Sequence, residues 1–550
     1  MATSPPEHPD RAPRFRLRSG TRSGVRPGTR AATCAAAAAA LVATLLAAPQ
    51  AAAHPAGPDR GAPVAAAKSG LLRGQAVGGA EQFLGVPYAA PPVGALRFRA
   101  PAAVPRWSGT RDATAQSAAC IQFAPVGVDP AYPRSEDCLA LDLYRPRGAR
   151  PGAKLPVIVW IHGGAWQQGT GVQFAGRTTA DTTGAIVLSI NYRLGALGYL
   201  GLPGFDAETP EGSGNWGTLD QIAALRWVRD NATAFGGDAG NVTVTGQSAG
   251  SGSVCALLGA PAAKGLFAKA VLQSGPCSFL SARPLADAQA QGAAFAASLG
   301  CPDAATAAAC LRNVPIAALT AAGMNLPPLG PAAGGKLLPR APYEAITSGQ
   351  WNKVPVIIGN TRSEGKLFAL GQAGISAEEY TAYVGATYGS VASKVLARYP
   401  VSGYPTPFHA LSAVLTDSSW ACQTQVTAES LSRQVPTYQY EFDDPASPPL
   451  RGLDIPGLDT GNAHSAELAY LFDFTEQGRP FTAEQAKLAD RMKRAWAAFA
   501  WYGTPNGPGL APWLPLTGRG DVLKFGPSGD RMFRDFADEH QCGFWSNPAA

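Results

Sequence analysis

The sequence is poor in charge: only 15% of its 550 residues are Asp, Glu, Lys or Arg, against 46% hydrophobic. That composition excludes a disordered or fibrous chain and leaves ample apolar content for a large core. It has little histidine, six residues in all, so candidates for an imidazole base can be weighed one by one. It has no C-x-x-C spacing and no Cys/His cluster, which argues against a zinc site. No metal and no cofactor are expected. No repeat and no linker-like stretch interrupts residues 69–548, which are read as one domain despite a length that alone would suggest two to four. The net charge of +6 is concentrated at one end. Residues 1–30 hold seven Arg against Glu7 and Asp10, a balance of +5, and residues 31–53 carry no charge, so the remainder is near +1. That removes any electrostatic reason to expect a nucleic acid or an anionic membrane as partner.

The basic N-terminal stretch has an order of its own. It precedes an apolar run, Ala31 to Ala48, and the small residues Ala51, Ala52 and Ala53 follow. Basic segment, apolar segment and A-x-A site are the order of a secretory signal. The run is at the lower limit for spanning a bilayer and consists mostly of Ala, so a cleaved signal over 1–53 is favoured over a membrane anchor. No Arg-Arg pair precedes it, which argues against the twin-arginine route. Residues 54–68, rich in Ala, Pro and Gly, read as a flexible leader. Outside the signal, which contains Cys34, eight cysteines remain, an even number that suits disulfides in an oxidising, extracellular compartment.

Short β-rich runs recur at Val157 to Ile161, Ala185 to Ile190, Val242 to Thr245, Ala270 to Leu272, Val354 to Ile358 and Thr437 to Phe442. Most are continuously apolar, as strands buried on both faces of a mostly parallel sheet are. Helical patterns lie between several of them. Leu219, Ile222, Leu225 and Val228 mark one. Ala483 to Trp501, stopped by Gly503 and Pro505, is another. The fold class is therefore α/β, a large mostly parallel central sheet flanked by helices, with chemistry expected at the carboxyl ends of its strands.

Gly246-Gln247-Ser248-Ala249-Gly250 directly follows one of these strands and precedes a helix-compatible stretch. G-x-S-x-G between strand and helix is a nucleophile elbow. It holds a serine exposed above a helix N-terminus, which favours developing negative charge. Serine needs a base. In elbow hydrolases acid and His follow the serine, so His162 is excluded and His409, His464 and His540 remain. His464 lies in a loop-like stretch of small residues, 461–467, and the other two lie in less distinctive surroundings. The orienting acid should lie between, at a strand end. Glu364 fits and Asp417 is its rival. The Gly-rich loop His162-Gly163-Gly164-Ala165 follows another strand and can turn backbone N–H groups toward the serine. Gly164, Ala165 and Ala249 are the three candidate oxyanion donors, each typically worth ~3 kcal/mol in such sites.

These residues carry a resemblance. The chain resembles the type-B carboxylesterases, the α/β-hydrolase family of cholinesterases, bile-salt-activated lipases and bacterial para-nitrobenzyl esterases, from about Leu84 to Trp545. The matching blocks, in order, are FLGVPYAAPPVGALRFRAP (83–101), SEDCLALDLYRP (135–146), IHGGAW (161–166), NYRLGALGYL (191–200), GNWGTLDQIAALRWVRDN (214–231), FGGDAGNVTVTGQSAG (235–250), GNTRSEG (359–365) and AHSAEL (463–468). The resemblance implies an α/β-hydrolase fold, a triad of Ser248, Glu364 and His464, and hydrolysis of small-molecule esters through an acyl-enzyme. It implies the disulfides Cys120–Cys138, Cys301–Cys310 and Cys422–Cys542, and buried structural ion pairs Arg97 with Glu136 and Arg193 with Asp220. Cys255 and Cys277 are left as a fourth candidate pair. If one lies two turns into a helix and the other tops a strand, they could be too far apart to join.

Three departures from the family pattern bear on substrate. Gln247 stands where the family usually has Glu, which removes a negative charge beside the nucleophile. Ala165 replaces the third Gly of the oxyanion loop, keeping its N–H but adding a methyl that could crowd bulky alcohols. The loop from Cys120 to Cys138 contains no Trp, only Phe123 and Tyr132 as aromatics, whereas cholinesterases use a Trp there as a cation–π platform. Neutral esters are expected rather than choline esters. Two alternatives are a lipase acting on long-chain esters and a non-catalytic binding protein of the cholinesterase type. The first would need an apolar lid, for which 120–138, with Ile121, Phe123 and Val126 among prolines, shows no amphipathic helix. The second is disfavoured by the intact Ser, Glu and His.

Overall fold

The computed structural model describes residues 61–548 except 123–130, 207, 325, 328, 451, 452, 454, 456, 476, 519 and 520. The expected signal, residues 54–60 of the leader, and Phe123 and Val126 lie outside the described residues.

The core of the molecule is an eleven-stranded sheet. In chain order its strands are β1 (Gln75–Val77), β2 (Ala80–Pro87), β3 (Ala140–Pro146), β4 (Leu155–Ile161), β5 (Ile186–Ile190), β6 (Gly237–Gln247), β7 (Lys269–Gln273), β8 (Val356–Thr361), β9 (Thr437–Phe442), β10 (Val522–Phe525) and β11 (Arg531–Phe533). Across the sheet the order is β1-β2-β3-β5-β4-β6-β7-β8-β9-β10-β11. From β5 to β10 every neighbouring pair is parallel. The flanking strands β1 to β3 and β11 are antiparallel.

The apolar runs explain this order. In β4, Val157, Val159 and Ile161 join one core cluster while Trp160 joins another. In β5, Ile186, Leu188 and Ile190 face the first cluster and Val187 the second. Period-two alternation between two apolar faces reads in sequence as an unbroken apolar run. Helix α1 (Trp216–Asn231) covers the first face with Leu219, Ile222 and Leu225. The helix over the other face, α3 (Ala483–Tyr502), contributes Leu488, Met492, Trp496 and Phe499 to the second cluster. Thr482 caps it by accepting from the Gln485 N–H, and Gly503 ends it with φ 75°. Between them in the chain, α2 (Ala249–Gly259) starts directly after β6.

Residues 64–67 of the expected leader belong to the fold. Val64–Ala67 pairs antiparallel with Gly70–Arg73, and Ala65 and Ala67 are buried. Small alanines suit the close approach of this strand to the body, which composition alone had suggested was mobile. From Ala62 onward the chain packs as one unit.

Arg97 pairs with Glu136 at 2.6 Å and also donates to the carbonyls of Arg312 and Val314. Arg193 pairs with Asp220 at 2.7 Å, with both side chains buried. All eight cysteines among the described residues are bonded: Cys120–Cys138, Cys255–Cys277, Cys301–Cys310 and Cys422–Cys542. The fourth pair closes because the chain after β7 folds back onto α2. A Cβ on Gly275 would lie 2.5 Å from the Ser248 carbonyl oxygen, and Ser251 Oγ donates to Gly275 O at 2.7 Å. That approach puts the Cα atoms of Cys255 and Cys277 5.5 Å apart, within bridging reach. Among the described residues no helix is long and apolar enough to cross a membrane.

Candidate active site

The site forms where β4, β6 and β8 end at the same edge of the sheet. After β6 the chain turns at Ser248 with φ 55° and ψ −126°, and α2 begins at the next residue. The turn tolerates no side chain on either flank: a Cβ on Gly246 would lie 2.4 Å from Gly250, and one on Gly250 would lie 2.1 Å from the Ile161 carbonyl oxygen. The Ser248 N–H is tied to the Gln273 carbonyl at the end of β7 (2.9 Å), so the strained residue is held by the sheet itself.

After β4, the loop His162-Gly163-Gly164-Ala165 runs beside the serine. A Cβ on Gly163 would sit 3.1 Å from Ser248 Cβ. Gly164, at φ 103°, could not carry a side chain, since its Cβ would lie 2.1 Å from the Gln168 carbonyl oxygen. Ala165 can, because its side chain is exposed. Gly164, Ala165 and Ser248 line one cavity, and Ala249 is the first residue of α2, where a backbone N–H has no partner within the helix. His162 itself turns away from base chemistry. Burial lowers its pKa to about 4, its ring stacks on Tyr192, and its Nδ1 lies 2.8 Å from Gly163 O.

Glu364 is the third residue past β8 and is fully buried. One carboxylate oxygen accepts the Thr361 N–H at 2.8 Å, and the other lies 2.5 Å from His464 Nδ1. With the Nδ1 proton facing the carboxylate, Nε2 is the free acceptor. Its hydrogen-bond partner is Gln247, whose amide nitrogen lies 3.1 Å away and donates. The imidazole packs against Trp420 and Phe368, with ring centroids 4.6 and 4.9 Å away. Glu467, one turn past His464, is buried, and burial together with the nearby Glu364 charge pushes its pKa up to about 8. Its one bonded oxygen accepts from Gln273.

The rival residues are gathered elsewhere. His540 Nδ1 lies 2.6 Å from Asp417 and its Nε2 lies 2.6 Å from Glu441. His409 faces Thr406 and Asp459. Of the three candidate bases, only His464 lines the same cavity as Ser248. That cavity measures about 480 Å³ and is walled by Phe174, Leu367, Phe368, Leu370, Leu450, Leu453, Leu468 and Phe474, with Gln168, Gln173, Gln247 and Ser465 as the polar groups besides the site residues. Among the described residues its lining holds no Asp, Glu, Lys or Arg.

The chain matches a known family over nearly the whole of its described residues: the carboxylesterase family model covers residues 61–545. The chain belongs to the carboxylesterase family. Among its relatives, the para-nitrobenzyl esterase of Bacillus subtilis (strain 168) is 35% identical over 456 residues, covering 80% of this chain and 89% of the relative. The fumonisin B1 esterase of Sphingopyxis macrogoltabida is 32% identical over 480 residues, covering 84% and 85%. A solved thermophilic PNB esterase superposes with a TM-score of 0.74 at 31% identity, covering 87% of this chain and 99% of that one. The protein is accordingly an α/β-hydrolase and a carboxylic ester hydrolase.

Sequence reasoning missed three contacts to His464 in this carboxylesterase. Gln247 drew notice for the charge it removes, not for the hydrogen bond it makes to the candidate base. Phe368 and Trp420 carried no signal, since neither belongs to a motif and their partner is distant in sequence.

Proposed function

We propose that the protein is a secreted serine esterase that hydrolyses neutral carboxylic esters through an acyl-enzyme on Ser248. The observation that carries this reading is the shared cavity. A tightly turned serine, the histidine of a buried Glu–His pair and a glycine loop meet in one apolar space whose described lining is uncharged.

In the first step His464 Nε2 takes the proton of Ser248 Oγ as the oxygen attacks the ester carbonyl. Gln247 gives up its hold on Nε2 to allow this. Glu364 keeps the imidazole oriented and offsets its positive charge. The oxyanion is received by the N–H groups of Gly164, Ala165 and Ala249. His464 then returns the proton to the leaving alcohol. In the second step a water loses its proton to His464 and attacks the acyl carbonyl. The tetrahedral intermediate collapses, the carboxylic acid departs and Ser248 regains its proton.

The uncharged, leucine- and phenylalanine-lined cavity favours apolar acyl and alcohol groups over choline esters or polycarboxylates. Export is supported by the order of basic, apolar and small residues at the N-terminus and by four disulfides.

One experiment reads both parts. A fluorophosphonate probe should label the wild-type chain but not Ser248→Ala, and the labelled chain should appear in the medium with a mass that starts near His54. Ser248→Ala should lose ~10⁴-fold or more in kcat. A folded wild type that resists the probe would sink the catalytic reading, and labelled chain retained in the cell at full length would sink export.

A further inference from the structure

Helix Pro407–Thr416 continues through a π-helical stretch, Asp417–Ala421, into helix Cys422–Ser432. Such wide turns are rare and often mark functional positions. Asp417 and Trp420 lie three residues apart, a spacing that puts two side chains on one face of a regular α-helix. Here they serve different neighbours. Asp417 accepts from Tyr399 Oη at 2.8 Å and lies 2.6 Å from His540 Nδ1. Trp420 stacks on Phe368 at 4.9 Å and 11°, and both rings reach the His464 imidazole. The wide turn spreads the two residues apart.

The π stretch is held from outside by the C-terminal segment. His540 joins Asp417 to Glu441 of β9. Trp545 Nε1 donates to Tyr399 Oη at 2.7 Å. Cys422, the first residue past the π stretch, is bonded to Cys542. This network thus presents one tryptophan to the candidate base.

We propose that Trp420 is a positioning residue for His464, delivered by the π stretch. The proposal rests on reading His464 as the base. Once Gln247 releases Nε2 for proton transfer, a histidine fixed only through Nδ1 can swing about that bond. Two aromatic rings against the imidazole restrict that swing and keep the ring on the cavity it shares with Ser248. The rings also sit within reach of the positive charge the imidazole gains in turnover. A small misplacement of a catalytic group costs heavily in rate, not in substrate affinity.

The test uses the full-length enzyme and a short-chain aryl ester. Trp420→Leu is expected to lower kcat by ~10- to 100-fold with KM within about twofold, and Trp420→Phe is expected to recover most of kcat. Should Trp420→Leu lack a cooperative melting transition, Trp420→Met is read by the same criteria. Unchanged kcat in the leucine or methionine variant overturns the proposal. So does a loss that falls on KM, or a phenylalanine variant as slow as the leucine one. Ser248→Ala and His464→Ala separate the two readings. If either retains wild-type turnover the triad reading fails, whereas if both are inactive and Trp420→Leu turns over normally, only the role of Trp420 fails.

Discussion

Three residues at the site hold side chains in left-handed backbone: Ala165 at φ 56°, Trp166 at φ 58° and Ser248 at φ 55°. For an L-residue that conformation costs roughly 1–2 kcal/mol. At Ser248 the cost is the geometry of the elbow. At Ala165 it is optional, since glycine would adopt the same φ freely and keep the same N–H. Ala165→Gly should therefore leave the melting temperature unchanged or raised. It should also open the rim, increasing kcat/KM for esters of bulky alcohols by ~10-fold relative to ethyl esters. A variant that loses activity on both alcohols alike would show that the methyl does not crowd the leaving group. Ser248 was readable from sequence because G-x-S-x-G places two backbone contacts that forbid side chains, and such contacts leave glycines behind. The hold of Gln247 on His464 was not, because it joins residues 217 positions apart that only the assembled sheet brings together.

Strands buried on both faces were legible as apolar runs, and all six expected ones are present as β4 to β9. The antiparallel flank was not. In β3, Asp142 and Arg145 are buried among apolar residues. Asp142 accepts the Gly85 N–H and Arg145 pairs with Glu81 of β2. Polar residues that find partners in a neighbouring strand make a buried strand look exposed. The π stretch had no signature either, because hydrophobic periodicity is defined for regular turns. It nonetheless has a titration of its own. Burial opposes charge on His540, but the hydrogen bonds and charges of Asp417 and Glu441 outweigh it and raise its pKa to about 9. The stabilisation is fully present below the unfolded value near 6.5 and is lost as pH rises through about 9. It amounts to on the order of 3 kcal/mol. The melting temperature should fall between pH 6.5 and 9, and His540→Asn should start lower and lack that slope. A parallel decline in wild type and variant would assign the effect to other groups.

At the scale of the whole molecule, the candidate site draws on segments from His162 to His464, each seated at the end of a strand or on a loop beyond one. The order of elbow, acid and histidine blocks along the chain made this assembly legible in the sequence. The walls of the cavity were not readable, since Phe174, Leu450 and Phe474 come from short, irregular segments.

The uncharged lining of that cavity also bears on how substrate arrives. A charged mouth on a charged protein gathers ligands through a long-range field, and dissolved salt weakens that pull. Here the chain past residue 53 is nearly neutral and the described lining offers no net charge, so encounter relies on unaided diffusion. For a neutral ester, kcat/KM should stay flat from low to high ionic strength, and anionic and cationic esters of matched size should show equally flat responses. A steep salt dependence for either ion would reveal a field that the cavity walls do not supply.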